Sequence, residues 1–174
     1  MDFKTEEMRI GMRRREREVT DETMIRDVLD RAKYLHLGMS DDGQPYVVPM
    51  NYGYRLQDGV LTIYLHGAVE GYKYEVLKKN PRISFTLECD TQPFEGRLAC
   101  QYGMTYFCIM GKGTAVLVDD IKEKEEALSL LMKTQTGGAF EFDEKMVSIV
   151  NVIRLDITEF TAKRRPLPGE EQKQ

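Results

Sequence analysis

A chain of 174 residues, 41% hydrophobic and 31% charged, has the size of one domain and enough apolar side chains for one core. That balance argues against disorder, and no run approaches the ~18 apolar residues that a bilayer helix needs. Its 25 Lys and Arg are outnumbered by 29 Asp and Glu, for a net charge of −4, which leaves no general cationic face for nucleic acid. The N-terminus, MDFKTEEMRIGMRRRERE, lacks the apolar centre of a signal peptide, so the expected compartment is the cytoplasm.

Cysteines number three, Cys89, Cys100 and Cys108, with no CxxC spacing. That argues against a disulfide framework and a zinc site, and no metal is expected. His36 and His66 are the only histidines, and hence the only bases available to a Ser-His-Asp arrangement. The chemistry is therefore expected to come from something the protein binds.

Residues 1–19 read as an N-terminal arm in which Arg13, Arg14, Arg15 and Arg17 alternate with Glu16 and Glu18. A solvated arm, a nucleic-acid arm and a clamp on a partner or an anionic cofactor all stay open for it. The domain itself is expected over 20–165, with a flexible tail over 166–174. Helical spacing of Met24, Ile25, Val28, Leu29 and Ala32 predicts a first helix over 20–33, with Thr20 as its N-cap.

From Tyr34 the period changes to two. Strands are predicted over 34–39, 45–54 and 60–66, joined by turns at 40–43 and 57–59. Pro49 demands an edge or an interrupted ladder, since proline cannot donate a hydrogen bond. A helix over 70–79 is stopped by Asn80-Pro81, and a strand follows over 82–89. After a loop over 90–96 come a long β stretch over 102–118, a helix over 119–133, a connection over 134–144 and a last strand over 147–161. Gly111 and Gly113 suit a bulge in the long stretch. The fold class is mainly β with short helices (α+β), read from the strands as a closed barrel with helical decoration.

Chemistry points first to Tyr64-Leu65-His66-Gly67-Ala68-Val69-Glu70-Gly71-Tyr72-Lys73. A strand running through small residues into a helix presents free N–H groups to an anion, and Lys73 adds a full charge. The same pattern also serves as a plain connection. His66 is either a half-exposed strand residue or a proton donor facing a pocket. Tyr46-Val47-Val48-Pro49-Met50-Asn51-Tyr52-Gly53-Tyr54 is either a packed barrel strand or an interrupted one offering main-chain groups to a flat heterocycle.

Taken together with Met12-Arg13-Arg14, Asn80-Pro81-Arg82 and Gly111-Lys112-Gly113, these blocks resemble the flavin-binding split-barrel superfamily related to pyridoxamine 5′-phosphate oxidase. Within it, the chain resembles the nitroimidazole reductase (Nim) antibiotic-resistance group. The resemblance implies a homodimer of FMN-binding split barrels. It implies that Val48, Pro49, Met50 and Asn51 run beside the isoalloxazine. Leu65, His66 and Lys73 then lie near the ring edge or ribityl phosphate, with Thr105 and Lys163 as further cofactor residues. His66 is the implied catalytic residue. The implied activity is an FMN-dependent oxidoreductase passing electrons from a nicotinamide or other donor to a small nitroaromatic or related acceptor. A flavin- or haem-binding carrier and a pyridoxamine-phosphate-oxidase-like enzyme stand as alternatives. Against the latter, the arginine-rich phosphate motif of those oxidases is absent.

Overall fold

The computed structural model describes residues 14–170. Arg13 and the rest of the arm before Arg14, and residues 171–174 of the tail, lie outside the described residues. The described part of the arm is docked on the domain. A 3₁₀ turn over Arg15–Arg17 leads into β1 (Glu18–Val19), which pairs with the end of the last strand, Glu18 opposite Lys163. Arg17 donates to the Tyr106 hydroxyl at 3.1 Å.

Helix α1 (Glu22–Arg31) buries Ile25, Val28 and Leu29, and its cap is Asp21 rather than Thr20. The Asp21 carboxylate accepts the Met24 N–H at 2.8 Å, satisfying a donor that has no partner inside the helix. Strands β2 (Leu35–Asp41) and β3 (Gln44–Met50) form a hairpin. Its turn contracts to Asp42-Gly43, at φ 48° and 89°, the left-handed pair that matches strand twist. Asp58-Gly59, at φ 51° and 76°, repeats the device between β4 (Tyr52–Gln57) and β5 (Val60–Gly67).

The chain continues through α2 (Tyr72–Lys79), β6 (Arg82–Cys89), β7 (Pro93–Phe94), β8 (Gly103–Met104) and β9 (Tyr106–Val118). It ends with α3 (Ile121–Thr136), α4 (Glu144–Val147) and β10 (Asn151–Arg165). The predicted last strand therefore starts four residues late, because Asp143 caps a short helix by accepting the Met146 N–H at 2.8 Å.

All pairings are antiparallel, in the order β3-β2-β6-β9-β10-β5-β4. The single strand expected over 45–54 is two strands. They part at Asn51 and lie at opposite edges of the sheet. The sheet curls without closing, so the fold is a mainly antiparallel, split barrel. Pro45 and Pro49 both sit on β3, which pairs with β2 alone, as proline requires of an edge.

Helices fasten the two sides of the break. Asn51 Nδ2 donates to Lys33 O at 3.0 Å, Lys33 Nζ to Thr134 O at 3.1 Å and Gln135 Nε2 to Tyr52 O at 2.8 Å. The α3 backbone presses on β4 at Gly53, where a Cβ would fall 2.3 Å from Leu131 N. The expected bulge also moves. It lies on β10 between Ile157 and Glu159, while Gly113 opposite gives the close approach, a Cβ there falling 2.2 Å from Asp156 O.

Leu35, Leu37, Ile63, Leu65, Leu87, Ile109, Ile153 and Leu155 fill the barrel interior. A second cluster, Tyr64, Val118, Val152, Ala127, Leu128 and Val147, packs α3 and α4 on the outside of β5 and β10. Among the described residues no helix is long and apolar enough to cross a membrane.

Candidate functional site

Alternation along β5 sends Leu61, Ile63 and Leu65 into the core, so Thr62, Tyr64 and His66 face the other way. Leu65 is 1% exposed, and what it contributes to a site is a wall and its main chain. His66 is half-buried, and its Nδ1 has no partner among the described residues. The buried hydroxyl of Tyr74, in the first turn of α2, is equally without one.

Lys73 joins these two groups. Its ammonium lies 4.5 Å from the centroid of the Tyr74 ring, within cation–π range. A Cβ on Gly67 would fall 2.6 Å from the Tyr74 hydroxyl and 3.1 Å from Lys73 Nζ, so glycine lets both groups pack close against this stretch of backbone. Gly71, at φ 151°, lets the chain turn into α2, whose N-terminus has no side-chain cap. A full positive charge, an unpaired hydroxyl and free helical N–H groups therefore stand at one glycine-lined turn, next to His66 along the chain.

Burial, and then the Lys73 ammonium, hold the His66 imidazole below its ordinary range. The folded protein thus prefers the neutral ring. The unfolded chain binds the extra proton between the two midpoints, so stability is complete above the ordinary imidazole value. It falls as pH drops toward the folded one. Removing the ammonium must relax part of this. In Lys73→Met, the His66 midpoint read by proton NMR is expected to rise toward the ordinary value, and an unchanged midpoint would place Lys73 away from the ring.

Other residues predicted for the site are scattered over the fold. On β3, Val48 and Met50 are half-buried against the core, whereas Pro49 is exposed and stands opposite His36. Asn51 spends its amide on the Lys33 carbonyl. Thr105 is buried between β8 and β9. Its hydroxyl donates to Asp90 O at 2.6 Å and accepts the Gln92 N–H at 3.0 Å, which ties down the 90–105 loop. Lys163 lies on β10 beside Cys108 and Glu18.

Sequence reasoning missed a groove of about 510 Å³ on the outside of β2, β6, β9 and β10. Val47, Phe85, Met110 and Phe160 line it, and Gly38 and Gly111 flatten it. The Lys112–Glu159 pair at 2.8 Å borders it, and His36, 3.8 Å from Glu88, stands at its edge. It combines outward residues such as Val47 and Met110 with the core-side Phe85 and Phe160 reached beside Gly111, a combination legible only once the strand neighbours are known. Tyr74 was missed because a tyrosine at a helical core position looks like packing.

Cys89 and Cys108 are poor nucleophiles, since burial pushes Cys89 up to about 11 and raises Cys108 as well. Among the described residues no group of three or more His, Cys, Asp or Glu is placed to hold a metal ion.

No curated protein matches the chain significantly. Among solved structures, a candidate 5-nitroimidazole antibiotic resistance protein from Bacteroides thetaiotaomicron is 30% identical. Its match covers 84% of this chain and 86% of that one, at a TM-score of 0.71. A flavocytochrome from Azotobacter vinelandii shares the fold at 22% identity and TM-score 0.72, covering 93% of this chain and 75% of that one. The FAD and heme binding protein from Mycobacterium smegmatis does so at 17% and 0.73, covering 89% and 77%. The family model of pyridoxamine 5′-phosphate oxidase matches residues 21–164, from the cap of α1 to the end of β10. With its split antiparallel barrel and that match over most of its length, the chain belongs to the pyridoxamine 5′-phosphate oxidase family.

Proposed function

We propose that this protein is an FMN-dependent oxidoreductase, reducing a small aromatic acceptor of the nitroaromatic kind with electrons from a nicotinamide donor. The observation that carries this reading is the turn at Gly67, where Lys73 Nζ and the unpaired Tyr74 hydroxyl meet beside the strand end that carries His66. These residues fit the phosphate end of FMN. An ammonium and helical N–H groups answer its charge, and the missing Cβ lets the ammonium sit close to the backbone. FMN, when bound, supplies the electron transfer.

The chain's own part is to hold and orient. Lys73 offsets the phosphate charge, and the edge of β3 offers main-chain groups to a flat ring. The neutral His66 ring holds a hydrogen-bonding nitrogen where no protein group competes for it. Kinship with the Bacteroides protein favours the nitroaromatic acceptor. The test is to load the protein with FMN, record its spectrum without oxygen and add a reduced nicotinamide, then a nitroimidazole. Bleaching followed by recovery is expected. A Soret band in the purified protein, or loaded flavin that no nicotinamide reduces, would overturn the reading.

The same reading makes the protein a homodimer. His66 pairs with Val152 and Glu18 with Lys163, both on β10, and eleven residues at about 3.3 Å each leave roughly 35 Å of strand between these positions. One FMN does not reach both within a subunit, so this reading has a second copy supply the Lys163 face to the Lys73 turn of the first. Light scattering at micromolar concentration is expected to give about twice 20.1 kDa. A monomer that binds FMN tightly would remove the shared site.

A further inference from the structure

The β2–β3 hairpin reaches the first turn of α2 through a single carboxylate. Asp41, the last residue of β2, accepts the Tyr72 hydroxyl on one oxygen and the Lys79 ammonium, at 3.2 Å, on the other. Tyr72 and Lys79 open and close α2, two turns apart, so both project from one face. On the same side, the Tyr46 ring of β3 meets the Tyr72 ring edge-on, with centroids 5.0 Å apart at 68°.

This contact joins the two halves of the candidate site. Tyr72 immediately precedes Lys73, and Tyr46 stands two residues before Val48 on the edge strand. Apart from Tyr74, which anchors it in the core, little else orients the first turn of α2. Its N-terminus has no side-chain cap, and glycines at 67 and 71 bracket the connection that leads into it.

We infer that Asp41, Tyr72 and Tyr46 form a clamp that positions Lys73 against β3, an inference that rests on reading Lys73 as the phosphate ligand. All three are positioning residues. None of them needs to touch the cofactor. The Tyr72 hydroxyl, and after it Lys79, hold the Asp41 carboxyl below its usual range, so the clamp stays charged throughout the neutral region.

Two conservative variants test it, Tyr72→Phe at an exposed ring and Asp41→Asn at a half-buried carboxylate. The first readout needs no flavin. If the clamp places the Lys73 ammonium, releasing it moves the His66 midpoint in proton NMR upward, as in Lys73→Met. The second is binding: FMN is expected to weaken by about three- to tenfold, the worth of an ordinary hydrogen bond, with riboflavin unaffected. A His66 midpoint that stays in place in both variants overturns the clamp. So does an FMN-to-riboflavin ratio unchanged in both while Lys73→Ala alters it. If Lys73→Ala itself leaves that ratio untouched, the phosphate reading beneath the proposal fails instead.

Discussion

His66→Ala is expected to keep its flavin and lose turnover by about 10²–10³-fold per bound flavin, the range for removing one positioned donor in a dry site. Its unpaired Nδ1 and half-burial underlie this expectation. The working form is the neutral ring, because burial and Lys73 hold the imidazole below its ordinary range. The rate should then stay level through neutral pH and fall only in acid, below the ordinary imidazole midpoint. An imidazolium acting as general acid gives the opposite profile, with the rate rising into acid. Activity normalised to bound flavin separates both from a wall residue, for which the ratio would not change.

Lys73→Ala is expected to weaken FMN by about 1.5–3 kcal/mol, the worth of a hydrogen bond to a charged group. Riboflavin, without the phosphate, should bind as before. Lys73→Arg is not expected to restore the affinity, since the ammonium already sits 3.1 Å from where a Gly67 Cβ would stand and a guanidinium is larger. Isothermal titration with both ligands decides the matter, and equal losses for FMN and riboflavin would move Lys73 away from the phosphate.

Much of this frame was legible along the chain. Leu61, Ile63 and Leu65 alternate, and β5 follows them to within a residue. The Asp-Gly pairs at 42–43 and 58–59 specify left-handed turns, and the strand over 82–89 has the predicted bounds. These are local properties, set by the pleat and by the φ that each residue tolerates. The turn from His66 to Lys73 was legible for the same reason, since its residues are neighbours in sequence.

Pairing was not. Nothing in the alternation of 45–54 says that Asn51 divides it and that its halves go to opposite edges, because a strand's period names its faces and not its neighbours. The bulge opposite Gly113, the outer groove and the distance between His66 and Lys163 all follow from that pairing. Sequence determined the strands, the turns and the glycine-lined junction. The tertiary structure decided which of them meet, and through burial and the Lys73 charge it decided that His66 is neutral, because a side chain's pKa belongs to its surroundings.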